Sequence, residues 1–247
     1  MSALFYEGAL AQSFNCDLDV YDGPPEVGNG APSKTFAGAA GQPGYWNRVL
    51  GNPTEPWQLL DLAGMPTGAT LHTIGDRAGV SGINNPANTG DYALLLNDAA
   101  FFQSEMSYVF RGLTNGEYTV FTYAVLPVPR IMPVQVSIAG SSSPNPQVVA
   151  GPMPGNAFAL YVTHARHEVL VDDETLTVRV RFQSPPAGPV NGFQLTLVPT
   201  PNPLVGLGAA MLGFIFAARR RPHPVELLRC QRWKGSPQAL DERGEPL

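Results

Sequence analysis

Charged side chains are scarce in this sequence, and positively charged ones especially so. Asp, Glu, Lys and Arg together make up 14% of the 247 residues, and the formal net charge is -5. A surface that binds nucleic acid needs a concentrated positive field. The dense basic cluster is Arg219, Arg220 and Arg221, directly after an apolar run. That position is typical of membrane topology, so the composition excludes nucleic acid as a partner.

Cysteine is nearly absent, and the sequence offers no disulfide framework. Cys16 and Cys230 lie on opposite sides of the apolar run 204–218, so a bond between them is not expected. A cysteine inside an alternating apolar segment behaves as a small hydrophobic residue. We therefore predict that Cys16 is buried.

Motifs for catalysis and metal binding are also missing. The sequence contains no Gly-x-Ser-x-Gly elbow, no dinucleotide or phosphate loop and no His-Glu-x-x-His helix. His164 and His167 are three residues apart in a predicted strand, where they face opposite ways. We therefore predict no catalytic residue, no metal site and no cofactor. The carboxylates of Asp91 and Asp98 are assigned to turns, because no spacing places them across a substrate.

The acidic pair Asp17 and Asp19 lies in the first predicted strand, next to Asp22. The EF-hand pattern fails here, because its fifth and twelfth positions are Tyr21 and Gly28. The pair is therefore interpreted as the solvated face of that strand. A single structural Ca²⁺ stays open as an alternative.

The body of the chain alternates apolar and polar residues with a period of two, which predicts β-strands. One short helix is predicted around 97–104. Frequent turns between many short strands favour an all-β antiparallel sandwich of the jelly-roll type over 13–198. The predicted strands are 14–20, 57–62, 69–74, 92–96, 106–110, 118–125, 134–139, 158–163, 167–171, 176–182 and 193–197.

The apolar run 204–218 has no polar face. As a helix it would be roughly 22 Å long, shorter than a bilayer core of about 30 Å. A short run that ends in three arginines favours a transient anchor with its arginines in the cytoplasm. A buried core helix is the alternative.

The segment Pro199-Thr200-Pro201, the run 204–218 and the three arginines resemble the PEP-CTERM sorting signal of bacterial envelope proteins. The resemblance implies cleavage by an exosortase, transient anchoring in the inner membrane and an exported, cell-envelope or extracellular protein. The family's chains end just after the arginines, whereas this one continues through 222–247, which we predict to be disordered. Residues 1–12 include a small-x-small pattern and are interpreted as the remnant of a signal peptide, with a disordered N-terminus as the alternative.

Two motifs within the body carry a second resemblance. Gly-Leu-x-x-Gly-x-Tyr at 112–118 and Asn-Gly-Phe-Gln-Leu at 191–195 resemble galactose-binding-like jelly-roll domains of secreted bacterial proteins. The resemblance covers roughly 13–198. Its motifs are turn glycines and core aromatics, which specify a fold better than a function.

Three aromatic residues are the candidate ligand-binding residues, namely Tyr45, Trp46 and Trp57. Exposed aromatic rings suit the apolar faces of sugars, although Trp residues also pin loops to a core. Both interpretations stay open. The favoured hypothesis is an envelope-associated, non-catalytic binding or adhesion module, with polysaccharide as the candidate ligand. The alternatives are a structural extracellular-matrix protein without a small ligand and, third, a secreted hydrolase.

Overall fold

The alternating segments build two β-sheets whose apolar faces pack together. The structure, a computed structural model, describes residues 12–20, 23–128, 130–182 and 187–199. The first sheet contains, in spatial order, β2 (Trp46–Leu50), β1 (Phe14–Asp19), β12 (Gly192–Leu197), β6 (Gly116–Tyr123) and β9 (His164–Val171). The second contains β3 (Trp57–Leu60), β4 (Pro66–Gly82), β5 (Asp98–Arg111), β10 (Thr175–Phe182), β7 (Val134–Ile138) and β8 (Gln147–Val149), with β11 (Gly188–Val190) paired to β5.

The pairing of these strands confirms the predicted sandwich. The neighbouring strands are antiparallel except β1 and β2, which run parallel. Aromatic residues join the two sheets across the core: the Phe193 ring lies 4.8 Å from the Tyr108 ring and 5.5 Å from the Phe110 ring, between centroids. Each fully buried side chain of this size contributes about 1.5–3 kcal/mol to stability. Cys16 is fully buried in the same core, as predicted.

Two predictions for the region 91–104 are wrong. The structure places a short helix, α1, at Asp91–Leu96, where a strand was predicted, and 97–104 belongs mainly to β5 rather than to a helix. Ala and Leu favour helix at 91–96. The start of β5 is held in extended form because β4 and β11 both pair with it. The predicted strand 158–163 is also wrong: it is a turn in which Tyr161 has a φ of 65°.

The outer face of the first sheet is covered, which contradicts another prediction. Asp17 and Asp19 are fully buried rather than solvated. Residues 33–45, which we call the strap, lie over this face and hydrogen-bond to it. Ala39 N–H donates to the Tyr123 hydroxyl at 2.7 Å, and Ala40 N–H donates to Gln194 Oε1 at 3.0 Å. The strap thus covers β6 and β12 on this face, while Asp19 is covered by the Gly30 N–H, which donates to its Oδ2 at 3.0 Å, and by Arg48.

Candidate functional site

Trp46, one of the three predicted ligand-binding residues, packs against the strap. Trp46 is 2% exposed, and its indole N–H donates to the Phe36 carbonyl at 3.1 Å. It belongs to a second apolar cluster with Tyr123, Leu95 and Leu96. The Trp46 ring therefore pins the strap and presents no face to solvent.

Tyr45 and Trp57 are each half-buried but lie in different places. The Tyr45 N–H donates to the Leu62 carbonyl at 2.8 Å, and the Lys34 ammonium lies 5.6 Å from the centre of the Tyr45 ring. Trp57 begins β3 and packs against the main core. The structure therefore separates the three aromatic residues, and their binding of a ligand stays a prediction.

Trp57 lines a groove of about 390 Å³, which we call the Trp57 groove. Its polar members come from separate parts of the chain and include Asn52, Glu55 and Arg77. Asn52 is held in place: its Nδ2 donates to the Phe101 carbonyl at 3.1 Å, and its Oδ1 accepts from the Tyr108 hydroxyl at 2.9 Å. The lining residues are Leu50, Asn52, Pro53, Thr54, Glu55, Pro56, Trp57 and Arg77.

Arg77 reaches this groove because β4 is irregular on both sides of it. The register between β4 and β5 shifts between Gly75 and Arg77 and again between Arg77 and Gly79. Both glycines have positive φ, at 135° and 112°. Such bulges re-aim a side chain relative to a regular strand. Within the described residues, the exposed Arg77 makes no salt bridge.

A larger cavity of about 580 Å³ lies beside α1, and we call it the helix cavity. It is bordered by the 3₁₀ turn Pro25–Val27, by the loop before α1 and by α1 itself. Asp91 is fixed at its wall, because its two carboxylate oxygens accept from the Ser33 N–H and the Ser33 hydroxyl, both at 2.7 Å. The lining residues are Pro25, Glu26, Asn84, Pro86, Asn88, Thr89, Gly90, Asp91, Ala93 and Leu94.

Three fully buried carboxylates, Asp17, Asp19 and Asp98, lie where β1 meets the start of β5. Arg48 pairs with Asp19, and the Val20 N–H donates to Asp98 at 3.2 Å. Burial, and then the neighbouring Asp19 charge, raise the pKa of Asp17 well above its ordinary value, and burial followed by Asp17 and Asp19 does the same for the pKa of Asp98. Across the residues that the structure describes, no three His, Cys, Asp or Glu side chains are arranged to hold a metal ion.

The two histidines of β9 face opposite sides of the sheet, as their spacing predicted. His164 pairs with Tyr123 and lies among aromatic rings, whereas His167 pairs with Val120. Burial lowers the pKa of each histidine to about 4. His167 is fully buried, and neither ring nitrogen has a hydrogen-bond partner among the described residues.

A catalytic arrangement would need some of these ionisable groups to share a cavity. Asp91 lines the helix cavity, but Asp98 and His167 do not line it and are fully buried. Asp98 interacts instead with the carboxylates of β1. The structure thus does not bring together Asp91, Asp98 and His167, the three groups that a hydrolase hypothesis would use.

The sorting-signal residues fall almost entirely outside the described part of the chain. Pro199 is its last residue, and Thr200, Pro201, the run 204–218 and the three arginines lie beyond it. In the described stretches, no helix has the length and apolar character of a membrane span.

Sequence reasoning found Trp57 but missed the residues that surround it. One signal for Arg77 was present, because Gly75 and Gly79 interrupt a strand pattern on either side of it, which is typical of a bulge. Asn88, in the wall of the helix cavity, carried no periodic signal. Its position depends on a hydrogen bond to Asn97 at 2.6 Å, which only the folded chain reveals.

No protein-family model matches the chain, and no curated protein matches it. Among solved structures, it is similar to a family 35 carbohydrate-binding module from Clostridium thermocellum, at 11% identity over 58% of this chain and 98% of that chain, with a TM-score of 0.29. It is similar to a β-glucuronidase from Bacteroides uniformis at 17% identity over 77% of this chain, with a TM-score of 0.39. The chain spans 18% of that glucuronidase. At these identities and TM-scores, the comparisons assign neither a family nor a ligand.

Proposed function

We propose that this chain is an exported, non-catalytic module that binds neutral saccharide in the Trp57 groove. The observation that carries the proposal is the presence, in one groove, of an indole ring with a planar amide, a carboxylate and a guanidinium. An indole packs against the C–H face of a sugar ring, and Asn52, Glu55 and Arg77 supply donors and acceptors for its hydroxyl groups. The opposite charges of Glu55 and Arg77 leave the groove without a strong field, which suits a neutral ligand.

The groove is also preformed in the way that ligand sites require. Asn52 is anchored through two hydrogen bonds, and Trp57 packs against the core. Side chains that are fixed before binding lose little conformational entropy when the ligand arrives. The groove volume of about 390 Å³ lies within the range of small-molecule sites, about 300–1,000 Å³.

Affinity electrophoresis of the full chain in gels containing β-1,4-galactan, xylan or pullulan tests this function. We expect at least one polysaccharide to retard the protein. Trp57→Ala should abolish the retardation, and Arg77→Gln should weaken it. Tyr161→Ala is the matched control, because Tyr161 is an exposed aromatic residue that does not line the groove, and it should leave the retardation unchanged.

Retardation that survives Trp57→Ala would contradict the groove as the site. An unretarded wild-type chain in all three gels would contradict saccharide binding and favour the alternative, a structural matrix protein without a small ligand. Reducing-sugar release by the wild-type chain would contradict a non-catalytic role.

Sorting to the cell envelope completes the proposed function. Its support is the order of the Pro199, Thr200, Pro201 motif, the apolar run 204–218 and the arginine cluster 219–221 in the sequence. An exosortase-type enzyme cleaves near the motif, after the run has held the chain at the inner membrane with its arginines in the cytoplasm. The sandwich is then presented on the outside, where polysaccharide occurs.

A further inference from the structure

The outer face of the second sheet carries a row of exposed arginines. Arg179 and Arg181 of β10 are two residues apart, so they point to the same side of the sheet, about 7 Å apart along the strand. Val180, which separates them, is fully buried in the core, so the two arginines point outward. Arg111 of β5 pairs with Thr175 of β10, so it lies on the same face, and all three arginines are exposed.

The charge of this face is opposite to that of the chain. Among the outward positions of β7, β10 and the part of β5 from residue 105 to 111, the one carboxylate is Glu105. Three guanidinium groups therefore accompany a single negative charge, whereas the chain as a whole has a formal net charge of -5. Asp76 of β4 accepts from the Ser104 hydroxyl at 2.6 Å. The face therefore attracts a negative ligand.

A small polar depression lies on this face, and we call it the arginine depression. Its volume is about 100 Å³, well below the about 300–1,000 Å³ of sites that enclose a small molecule. It therefore accommodates a single group of a larger ligand that extends over the sheet. Strand pairing assembles it, because β10 lies between β5 and β7. The lining residues are Glu105, Gln135, Ser137, Arg179 and Arg181.

The two arginines of the depression have donors to spare. Arg179 Nη2 donates to Glu105 Oε1 at 2.6 Å, and Arg181 makes no salt bridge with any residue that the structure describes. A guanidinium group has five N–H donors in a planar fork that matches the two oxygens of a carboxylate. The Gln135 amide and the Ser137 hydroxyl lie beside the arginines and can exchange hydrogen bonds with neutral hydroxyl groups.

We propose that the outer face of the second sheet binds a carboxylate-bearing polysaccharide, with one carboxylate in the arginine depression on Arg181 and Arg179. The neutral amide and hydroxyl favour a sugar polymer over an acidic peptide, and none of the lining residues is apolar enough to hold a peptide side chain. No residue of the depression lines the Trp57 groove, so this site goes beyond the proposed binding of neutral saccharide.

Calorimetric titration of the full chain with polygalacturonate tests the proposal, and its fully methyl-esterified form is the uncharged probe of the same polymer. We expect polygalacturonate to bind and the ester to bind at least about tenfold more weakly, because it lacks the carboxylates. Binding should weaken as NaCl is raised. Poly-L-glutamate, a carboxylate polymer without sugar rings, should bind more weakly than polygalacturonate.

Three of these titrations can overturn the proposal. Equal affinity for polygalacturonate and its ester would remove the role of the carboxylate. Equal affinity for poly-L-glutamate would make the occupant an acidic peptide instead of a polysaccharide. No binding of polygalacturonate would contradict the site itself.

Two variants locate the carboxylate. Arg181→Gln removes an exposed charge that has no salt bridge, so the fold is retained, and polygalacturonate affinity should fall about fivefold. Glu105→Gln removes the carboxylate that competes for Arg179, so affinity should rise about twofold. The unfolding temperature of each variant is recorded to confirm folding.

Arg166→Gln is the matched control, because Arg166 is an exposed, salt-bridged arginine of β9 in the first sheet, and this variant should bind as the wild type does. Unchanged affinity in Arg181→Gln would overturn the proposal, as would a fall in affinity in Glu105→Gln. Loss of polygalacturonate binding in Trp57→Ala would place the ligand in the Trp57 groove and overturn it as well.

Discussion

At the scale of single residues, the buried histidines of β9 make folding sensitive to acid. His167 is fully buried and has no hydrogen-bond partner in the part of the chain that the structure describes. His164 is 6% exposed and contacts the Thr163 hydroxyl at 3.0 Å. Burial lowers the pKa of both side chains from an ordinary 6.5 to about 4. In the unfolded chain the same histidines take up protons as the pH falls through 6.5. In the folded chain these histidines take up protons only near pH 4. The free energy of unfolding therefore decreases as the pH falls from about 6.5 to about 4.

We therefore expect His167→Leu to reduce the acid sensitivity of folding. The wild-type free energy of unfolding should fall more between pH 7.5 and pH 4.5 than that of the variant, by about 1–3 kcal/mol. Urea unfolding at the two pH values measures this difference. His72→Gln is the control, since His72 is only half-buried, and it should change the pH dependence less. Identical pH dependence of wild type and His167→Leu would contradict the prediction.

The sequence predicted the opposite faces of His164 and His167, because strand alternation alone fixes that relation. It could not predict that Asp17 and Asp19 are buried. Alternation separates two faces of a strand but does not say which face another part of the chain will cover. Here the Gly30 N–H, which donates to Asp19 Oδ2 at 3.0 Å, and the pairing of Arg48 with Asp19 cover the acidic face. Both arise from contacts between residues distant in the sequence.

At the scale of elements, the strap depends on a close approach to β12. Gly38 has a φ of 59°, and a Cβ atom at this position would collide with the Gln194 side chain. That side chain holds the strap: Gln194 Nε2 donates to the Ala37 carbonyl at 3.1 Å, and Gln194 Oε1 accepts from the Tyr123 hydroxyl at 2.5 Å. Gly38 is thus required both for its backbone angle and for its lack of a side chain.

Gly38→Ala should destabilise the chain through both effects. The left-handed backbone costs alanine about 1 kcal/mol, and displacement of Gln194 adds about 1–3 kcal/mol. Gly41→Ala is the matched control, because Gly41 has a φ of 66° and no atom within 4 Å of an added Cβ. Urea unfolding of the two variants compares them. Equal losses of stability would show that the contact with Gln194 contributes nothing.

The elements themselves were predicted unevenly. Long alternating segments such as β10 and β12 were predicted within a residue or two of their bounds. The strand β2 was missed because it lies in a Gly- and Pro-rich region and is stabilised by parallel pairing with β1. The Trp57 groove was only partly predicted, because it too depends on how strands pair. The indole is visible in the sequence, whereas the bulges that aim Arg77 become evident only when β4 pairs with β5.

At the scale of the whole molecule, the proposed sorting makes a prediction about the mature chain. Expressed in a Gram-negative host with a matching exosortase, the full chain should be released with a mass that lacks the arginines and the tail 222–247. Replacing Pro199 and Pro201 by Ala should block this release, while Pro203→Ala, the matched control outside the motif, should not. Mass spectrometry of the released protein is the measurement. Mature chains that retain 219–247 would contradict the proposal.

The pairing of β1 with β12 has a consequence for the timing of folding. The first described strand completes its hydrogen bonds only with the last one, as the Leu197 N–H to Ser13 hydroxyl bond across 184 residues shows. At a synthesis rate of about 5–20 residues per second, β1 waits roughly 10–40 s for its partner. During that interval the first sheet stays open between β1 and β6, where β12 will insert. The proposed export would benefit from such a delay, since the sandwich cannot close before its last strand arrives.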